Sequence, residues 1–281
     1  MKKILAVSGG VDSMLLLWRF RNDKDAVVAH FNHGTRASAD TDYEFVRREV
    51  EKYGLKLFYE KASLGEDVSE ADARIARYNF LFGLQQRLGA ETVIYTAHHL
   101  NDLAESIAIN LTRGTGWRGL TPFSDARIKR YFIDEEMTKN DILIEAAKNQ
   151  IAFRQDPTNV EDGYLRNRLR AYISKMKKDD LLKIYKLYQE QVFLREEIEQ
   201  ESRKMTEAIT DNNKYDRKIF SNVDDGVALE IVRAILSKNN LSLTRPQMKD
   251  FLTAIRNYLP GKKFNLPGNR MAEIRRDWFI V

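Results

Sequence analysis

The sequence predicts an α/β fold: a doubly wound, mostly parallel sheet, followed by a long connecting helix and a small α+β domain. In the first half, short continuous apolar runs alternate with helical segments, which is typical of parallel strands covered on both faces. The second half opens with residues 175–210, a charged stretch without Gly or Pro that is predicted to be one long connecting helix, with an ordinary packed helix as the alternative. The tail contains Leu-Pro-Gly-Asn at 266–269, a turn signal that predicts a final hairpin.

Strands and helices are expected to alternate through the first half. The predicted strands are residues 3–8, 26–31, 56–60 and 92–97. The predicted helices are residues 14–20, 41–53, 70–88 and about 101–113, and glycines follow the second and third of them. Parallel sheets bind ligands beyond the carboxyl ends of their strands. Ser8-Gly9-Gly10 and His98-His99 follow the first and fourth strands, so we expect them to contribute to one site.

The change of character along the chain predicts three segments. We expect a catalytic domain over residues 1–175, a connecting helix over residues 176–212 and a small C-terminal domain over residues 213–281. Asp211-Asn212-Asn213 is expected to end the connecting helix, and the tail beyond it reads as two short helices and the hairpin.

Composition limits the classes of function. The 281 residues include no cysteine, which excludes a disulfide framework, a thiolate zinc site and a cysteine nucleophile. No window approaches the ~18–20 unbroken apolar residues of a membrane span, so a cytoplasmic location without membrane contact is expected. The formal charge of +5 favours an anionic partner such as nucleic acid, although a solvated lysine-rich surface is the alternative.

The strongest single motif is Ser8-Gly9-Gly10-Val11-Asp12-Ser13, between the first strand and the first helix. Two glycines allow a tight turn and a close approach to an anion, and the helix start offers free N–H groups. Asp12 repels phosphate, so it is expected to hold Mg²⁺ or to orient the loop. A Walker loop and a dinucleotide fingerprint both fit poorly. A plain strand-to-helix turn is the alternative for Gly-Gly alone, and the full string favours a phosphate loop.

The six-residue string resembles the signature of the N-type ATP pyrophosphatases, the PP-loop superfamily with its adenine nucleotide α hydrolase-like fold. Family members bind ATP at this loop and cleave it between the α and β phosphates. Further motifs, in order, are similar to those of the tRNA(Ile)-lysidine synthetase family over about residues 1–175. They are residues 30–36, 73–78, 97–106, 111–114, 156–159 and 166–170, and the tail is similar to that family's first C-terminal domain.

The resemblance implies a ligase that uses ATP and Mg²⁺ to join free L-lysine to the wobble cytidine of tRNA(Ile) with a CAU anticodon. The cytidine O2 attacks the α-phosphate and releases pyrophosphate. The lysine ε-amino group then displaces AMP and gives lysidine. The C-terminal domain is implied to recognise tRNA.

Three residues are expected to carry the chemistry: Asp102, Glu105 and Arg77. Asp102 and Glu105 are three apart on a predicted helix and share a face, where they can hold a cation and accept a proton from the incoming amine. The alternative is an acidic helix start that only stabilises the helix dipole. Arg77, with Arg74, is expected to face a triphosphate or adenylate, and pairing with surface acids is the alternative.

Two further groups are binding candidates. His30, Asn32 and His33 are expected to shape the nucleotide pocket. We expect one of His98 and His99 to have a structural or substrate-orienting role and the other to lie in the core. Crowded arginines near a helix start oppose its dipole unless an anion compensates, so tRNA or ATP phosphate is the expected partner, with a solvated basic turn as the alternative. This second group is Arg166, Arg168 and Arg170, and Arg113, in the family-like segment 111–114, is a further candidate for contact with tRNA or phosphate.

Two positions depart from the family pattern. Asn101 stands where the family has an aspartate, and Arg130-Tyr131-Phe132 stands where Arg-Pro-Leu is expected. Rival interpretations are a tRNA thiolase of the same superfamily and a non-catalytic RNA-binding protein. The lack of cysteine opposes the first, and the intact loop with Asp102 and Glu105 opposes the second. The sequence assigns neither the metal ligands nor the oligomeric state.

Overall fold

The computed structural model describes residues 1–32, 39–62, 70–154 and 164–281. Within them the chain forms two compact units, Met1–Tyr188 and Gln189–Val281. The three-segment division predicted from the sequence stays a prediction.

The first unit begins with strands and helices in alternation. Their bounds are β1 (Lys3–Ala6), α1 (Val11–Arg19), β2 (Ala26–Asn32), α2 (Ala39–Lys52), β3 (Lys56–Lys61), α3 (Glu70–Leu88), β4 (Val93–Thr96) and α4 (Leu100–Thr112). A 3-10 turn, Trp117–Leu120, then leads to β5 (Ile128–Arg130), α5 (Tyr131–Asp134), α6 (Lys139–Lys148), α7 (Tyr164–Ile173) and the start of α8 (Lys178–Ala208).

The sheet of the first unit has the order β3-β2-β1-β4-β5, and all four pairings are parallel. The direction of strand succession reverses between β1 and β4, which creates a crevice outside their carboxyl ends. The predicted parallel sheet is confirmed. The fifth strand escaped prediction because Ile-Lys-Arg is too short and too basic to give an apolar signal.

Both faces of this sheet are buried, which accounts for the continuous apolar strands. Leu5 points into a cluster formed with α1, α2 and α6, whereas its neighbour Ile4 points into a cluster with α3. Both side chains are fully buried. Because successive strand residues face opposite sides, a strand covered by helices on both sides must be apolar at every position.

The second unit contains most of the long helix α8 and an antiparallel sheet. Its remaining elements are β6 (Thr210–Asp211), β7 (Lys214–Asp216), a 3-10 turn Lys218–Ser221, α9 (Asp225–Lys238), α10 (Arg245–Asn257), β8 (Lys263–Leu266), β9 (Arg270–Ile274) and β10 (Trp278–Ile280). The strand order is β6-β7-β10-β9-β8, around a core that includes the buried rings of Phe220, Phe251 and Phe279.

The predicted final hairpin is confirmed as β8 and β9. The loop between them has three residues, 267–269, and Gly268 and Asn269 have φ angles of 72° and 57°, in the left-handed region that tight hairpin loops use. Across the described part of the chain, the helices include none with the length and apolar character needed to cross a membrane.

Candidate active site

The phosphate loop, residues 8–13, is held in shape by one hydroxyl. Ser13 Oγ accepts hydrogen bonds from the backbone N–H groups of Ser8 and Gly9, at 3.1 and 3.2 Å, and donates to Gly10 O at 2.9 Å. Gly10 is the N-cap of α1 and has no side chain to occupy the first-turn amides. The loop therefore leaves the start of α1 accessible to an anion, as the sequence predicts.

Gly9 turns the chain at the end of the first strand. Its φ of 97° is a conformation that L side chains rarely adopt, and an added Cβ would lie 3.4 Å from Val46 Cγ2. The Gly9 carbonyl accepts a hydrogen bond of 3.0 Å from the Arg154 backbone N–H, and Arg154 Nε lies 2.7 Å from Asp42 Oδ1. Arg154 thus ties the loop to α2, a role that no sequence motif indicated.

A cavity of about 380 Å³ opens at the carboxyl ends of β1, β2 and β4, within the ~300–1,000 Å³ range of small-molecule sites. The phosphate loop and the start of α4 meet in it, as predicted. Its polar lining includes Ser8, Asp12, Ser13, His30, Asn32, Asp42, Arg77, Thr96, His98 and Asp102. His33, a predicted pocket residue, lies outside the described residues.

Besides Asp42, which pairs with Arg154, two carboxylates line this cavity, each with a basic neighbour. Asp12 Oδ1 accepts a 2.6 Å hydrogen bond from Lys139 Nζ and lies 3.9 Å from His99 Nε2. Asp102 Oδ2 accepts a 3.0 Å hydrogen bond from the His99 backbone N–H, which completes a capping box at the start of α4. Burial raises the pKa of Asp102, the nearby charges of Asp12 and Glu105 add to this effect, and His99 opposes it.

Glu105 lies on α4 beside two arginines of α7. Its buried carboxylate lies 2.8 Å from Arg166 Nε through one oxygen and 3.4 Å from Arg170 Nε through the other. Glu105 is not among the residues that line the cavity. The sequence predicts an anion beside these arginines, and in the described residues a protein carboxylate takes that position. Arg168 lies between them in sequence on the same helix, and its side chain is exposed.

The remaining predicted arginines differ in position. Arg77 lines the cavity, and Arg74 lies nearby with its guanidinium 5.0 Å from the ring centre of Tyr78 and Nη2 3.4 Å from the Tyr78 hydroxyl. Arg113 is the C-cap of α4, is exposed, and does not line the cavity. The structure therefore brings Arg77, but not Arg113, to the phosphate loop.

The histidines take distinct positions. His30 Nδ1 lies 2.8 Å from Val7 O, and because a carbonyl only accepts, Nδ1 carries the proton. Burial lowers the pKa of His30, so its Nε2 is left as an acceptor. His98 lines the cavity, whereas the buried His99 caps α4. Within the described residues, no group of three or more His, Asp or Glu side chains is arranged to hold a metal ion.

Asn101 has a structural role at the start of α4. Its Oδ1 accepts a 2.9 Å hydrogen bond from the Lys139 backbone N–H, and its Nδ2 donates to Ile173 O at 3.5 Å. The amide thereby links the starts of α4 and α6 to the end of α7. An aspartate lacks the N–H donor for the second contact.

The sheet order, with the loop at its switch point, is that of an α/β protein that binds its ligand at the carboxyl ends of the strands. Comparison with known proteins agrees: the chain belongs to the PP-loop domain family, whose model matches residues 1–177.

Several curated relatives are tRNA(Ile)-lysidine synthases. That of Streptococcus gordonii is 29% identical over 258 residues, which cover 89% of this chain and 58% of the relative. That of Bacillus licheniformis is 30% identical over 276 residues, 91% of this chain and 54% of the relative. That of Thermus thermophilus is 33% identical over 178 residues, 60% of this chain and 34% of the relative. The chain therefore spans 34–58% of their lengths.

A solved structure supports the fold alone. The U34-tRNA thiolase NcsA from Methanococcus maripaludis superposes with a TM-score of 0.56 at 15% identity, covering 68% of this chain and 72% of that chain.

Proposed function

We propose that the chain is an ATP-dependent ligase that joins free L-lysine to C2 of the wobble cytidine of tRNA(Ile) with a CAU anticodon. The cytidine O2 attacks the α-phosphorus of ATP, and pyrophosphate leaves. The lysine ε-amino group then attacks C2, and AMP leaves with the former O2 oxygen. A cytoplasmic location is part of this proposal, because tRNA is the proposed substrate. The observation that carries the proposal is the cavity in which the phosphate loop faces Asp102, in a chain similar to lysidine synthases.

The phosphate loop supplies the pyrophosphate side of this reaction. The Ser13 hydroxyl is engaged in hydrogen bonds within the turn. The backbone amides at the start of α1 and Ser8 are therefore the groups proposed to bind phosphate oxygens. Arg77, which also lines the cavity, is proposed to balance the charge that develops as pyrophosphate departs.

Asp12 has the chemistry of a magnesium ligand in a site completed by substrate. Mg²⁺ prefers oxygen ligands and is commonly held by one or two carboxylates together with substrate phosphates. Asp12 belongs to the phosphate loop and lines the cavity. When bound, Mg²⁺ supplies charge neutralisation of the triphosphate. In the structure, the ammonium of Lys139 lies 2.6 Å from Asp12 Oδ1 and balances the charge of this carboxylate.

Asp102 is proposed to receive the lysine. The ε-ammonium must lose a proton before it can attack, and a carboxylate with a raised pKa is a better proton acceptor than an ordinary aspartate. Glu105 is already bound by Arg166 and Arg170, so in this proposal it acts by fixing α7 against α4. Arg168 and Arg113 are proposed to contact tRNA phosphates, together with the parts of Arg166 and Arg170 that remain exposed.

Product analysis tests the class of reaction. With ATP, L-lysine and a tRNA(Ile) transcript that carries CAU, we expect AMP and pyrophosphate in equal amounts, and only when the transcript is present. A transcript with uridine at the wobble position is the matched control and should give no AMP, because it lacks the cytidine acceptor. Formation of ADP, or AMP formation independent of tRNA, would contradict the proposal.

A further inference from the structure

A buried arginine lies at the end of β5 without an acidic partner in the described part of the chain. Arg130 is 6% exposed, makes no ion pair with a described residue, and has an Nε atom that lacks a hydrogen-bond partner among them. Its guanidinium lies 5.0 Å from the ring centre of Phe123. Burial of an unpaired cation costs free energy, so an interaction that makes use of this charge is expected nearby.

The hydrogen bond that Arg130 does make leads to the cavity. Arg130 Nη1 donates to Thr96 Oγ1 at 3.5 Å, and Thr96 Oγ1 lies 2.8 Å from His98 Nδ1. Both Thr96 and His98 line the cavity. These three side chains therefore connect a buried positive charge to an imidazole beside the ligand site.

The hydroxyl of Thr96 has one proton and two possible acceptors. One is His98 Nδ1 at 2.8 Å, and the other is Lys129 O at 3.4 Å. A hydroxyl donates best at about 2.7–2.8 Å, so the contact with His98 is the better one. The Arg130 guanidinium cannot accept a hydrogen bond, so Thr96 Oγ1 accepts from it through a lone pair. The hydroxyl proton of Thr96 must therefore point to one of the two acceptors. Distance thus favours an unprotonated Nδ1 on His98.

Electrostatics favours the same arrangement. Burial lowers the pKa of His98 well below its usual value, and the positive charges of Arg130, Arg74 and Arg77 lower it further, with His99 contributing last. His98 is therefore neutral at pH 7 and carries one ring proton. A lone pair on the nitrogen that faces the Thr96–Arg130 side is attracted by these cations, whereas an N–H dipole there would be repelled.

We propose that Arg130 and Thr96 are positioning residues that fix neutral His98 with its proton on Nε2, which makes His98 a hydrogen-bond donor to an anionic oxygen in the cavity. His30, whose proton is on Nδ1, is then an acceptor in the same cavity. The identity of the oxygen, on the transferring phosphate or on the cytidine, rests on the proposed function. The position of the proton does not, because the protein alone sets it.

The ring proton can be measured without ATP or tRNA. The chain has four histidines, so ¹H–¹⁵N correlation spectra of the imidazoles are simple, and His→Gln variants at the other three positions assign them. We expect the protonated nitrogen of His98 to be Nε2 and that of His30 to be Nδ1. Protonation of His98 at Nδ1 would overturn the inference and leave the proposed ligase activity unaffected.

Substitution of Thr96 tests whether Arg130 and Thr96 determine which ring nitrogen of His98 carries the proton. Thr96→Val keeps the shape but removes the hydroxyl, so we expect mixed tautomers of His98. The kcat for AMP formation should fall about tenfold or more, with KM for ATP within about twofold, because a donor acting in the transition state is lost. Thr96→Ser restores the hydroxyl and should restore both the single tautomer and most of the rate.

Thr92→Val is the matched control. Thr92 is buried directly before the same strand, and it does not line the cavity. If Thr92→Val and Thr96→Val lowered kcat equally, or if Thr96→Val left the His98 tautomer and kcat unchanged, the positioning role of Thr96 would be refuted. Arg130→Met should shift the tautomer in the same direction as Thr96→Val, and an unchanged tautomer in a folded Arg130→Met protein would refute the part assigned to Arg130.

Discussion

Asp102→Asn is expected to fold as the wild-type protein does and to lose about 10²–10⁴-fold in turnover, the range for loss of a positioned acid–base group. The asparagine oxygen can still accept the hydrogen bond from the His99 backbone N–H that caps α4. The negative charge and the ability to take a proton from lysine are lost. Single-turnover transfer of lysine to adenylated tRNA measures the effect directly.

The stability of this variant follows from the raised pKa of Asp102. In the folded state the carboxyl holds its proton to a higher pH than in the unfolded chain. The folded state therefore loses stability as pH rises from the unfolded pKa through the folded one. At pH 7 the ionised carboxylate is destabilising, so Asp102→Asn should melt at the wild-type temperature or above it. A lower melting temperature would mean that the charge stabilises the fold.

Asp141→Asn is the matched control for this prediction. Asp141 completes a capping box at the start of α6, where its Oδ2 accepts a 2.9 Å hydrogen bond from the Thr138 N–H, and it does not line the cavity. Turnover should stay near the wild-type rate. If Asp102→Asn and Asp141→Asn had the same turnover, Asp102 would be only a helix cap.

Glu105→Gln is expected to destabilise the first unit by about 1–3 kcal/mol, the cost of leaving buried charged groups poorly paired. The neutral amide has one acceptor oxygen and a donor group, so it can satisfy only one of Arg166 and Arg170. Because both arginines are partly exposed to water, the loss should fall below that of a fully buried ion pair. Denaturant unfolding of the wild type and the variant gives the difference.

Glu51→Gln supplies the comparison for Glu105. Glu51 pairs with Arg47 one helical turn away on the exposed surface of α2, where such a pair contributes about 0.3–0.5 kcal/mol. Turnover of Glu105→Gln should fall together with its stability, because in this proposal Glu105 acts only by holding α7 against α4. Full stability with abolished turnover would instead indicate that Glu105 acts on the substrate itself.

The sequence was informative where a local pattern carries the signal. Continuous apolar strands identified the parallel sheet, and the string at residues 8–13 identified the loop that lies at the switch point of that sheet. Gly268 and Asn269 identified the hairpin, because few residue pairs adopt its left-handed turn. In each case the residues that matter are neighbours in the chain.

Contacts between distant residues left no such signal. Lys139 pairs with Asp12 across 127 positions, and Arg166 pairs with Glu105 across 61. The Arg154 backbone N–H binds Gly9 O through a main-chain group that any residue other than proline could supply. Thr96 and Arg130 meet only because β4 and β5 pair in register. The sequence therefore indicated where the cavity lies and which charges it contains, while the partners of those charges came from the fold.

Incorporation of labelled lysine tests the proposed function most directly. Purified protein, ATP, radiolabelled L-lysine and a tRNA(Ile) transcript with a CAU anticodon should give acid-precipitable label at one lysine per tRNA. Digestion to nucleosides should place that label in lysidine. Correctly folded protein that cleaves ATP to AMP with this transcript, yet attaches no lysine to its wobble cytidine, would contradict the assignment.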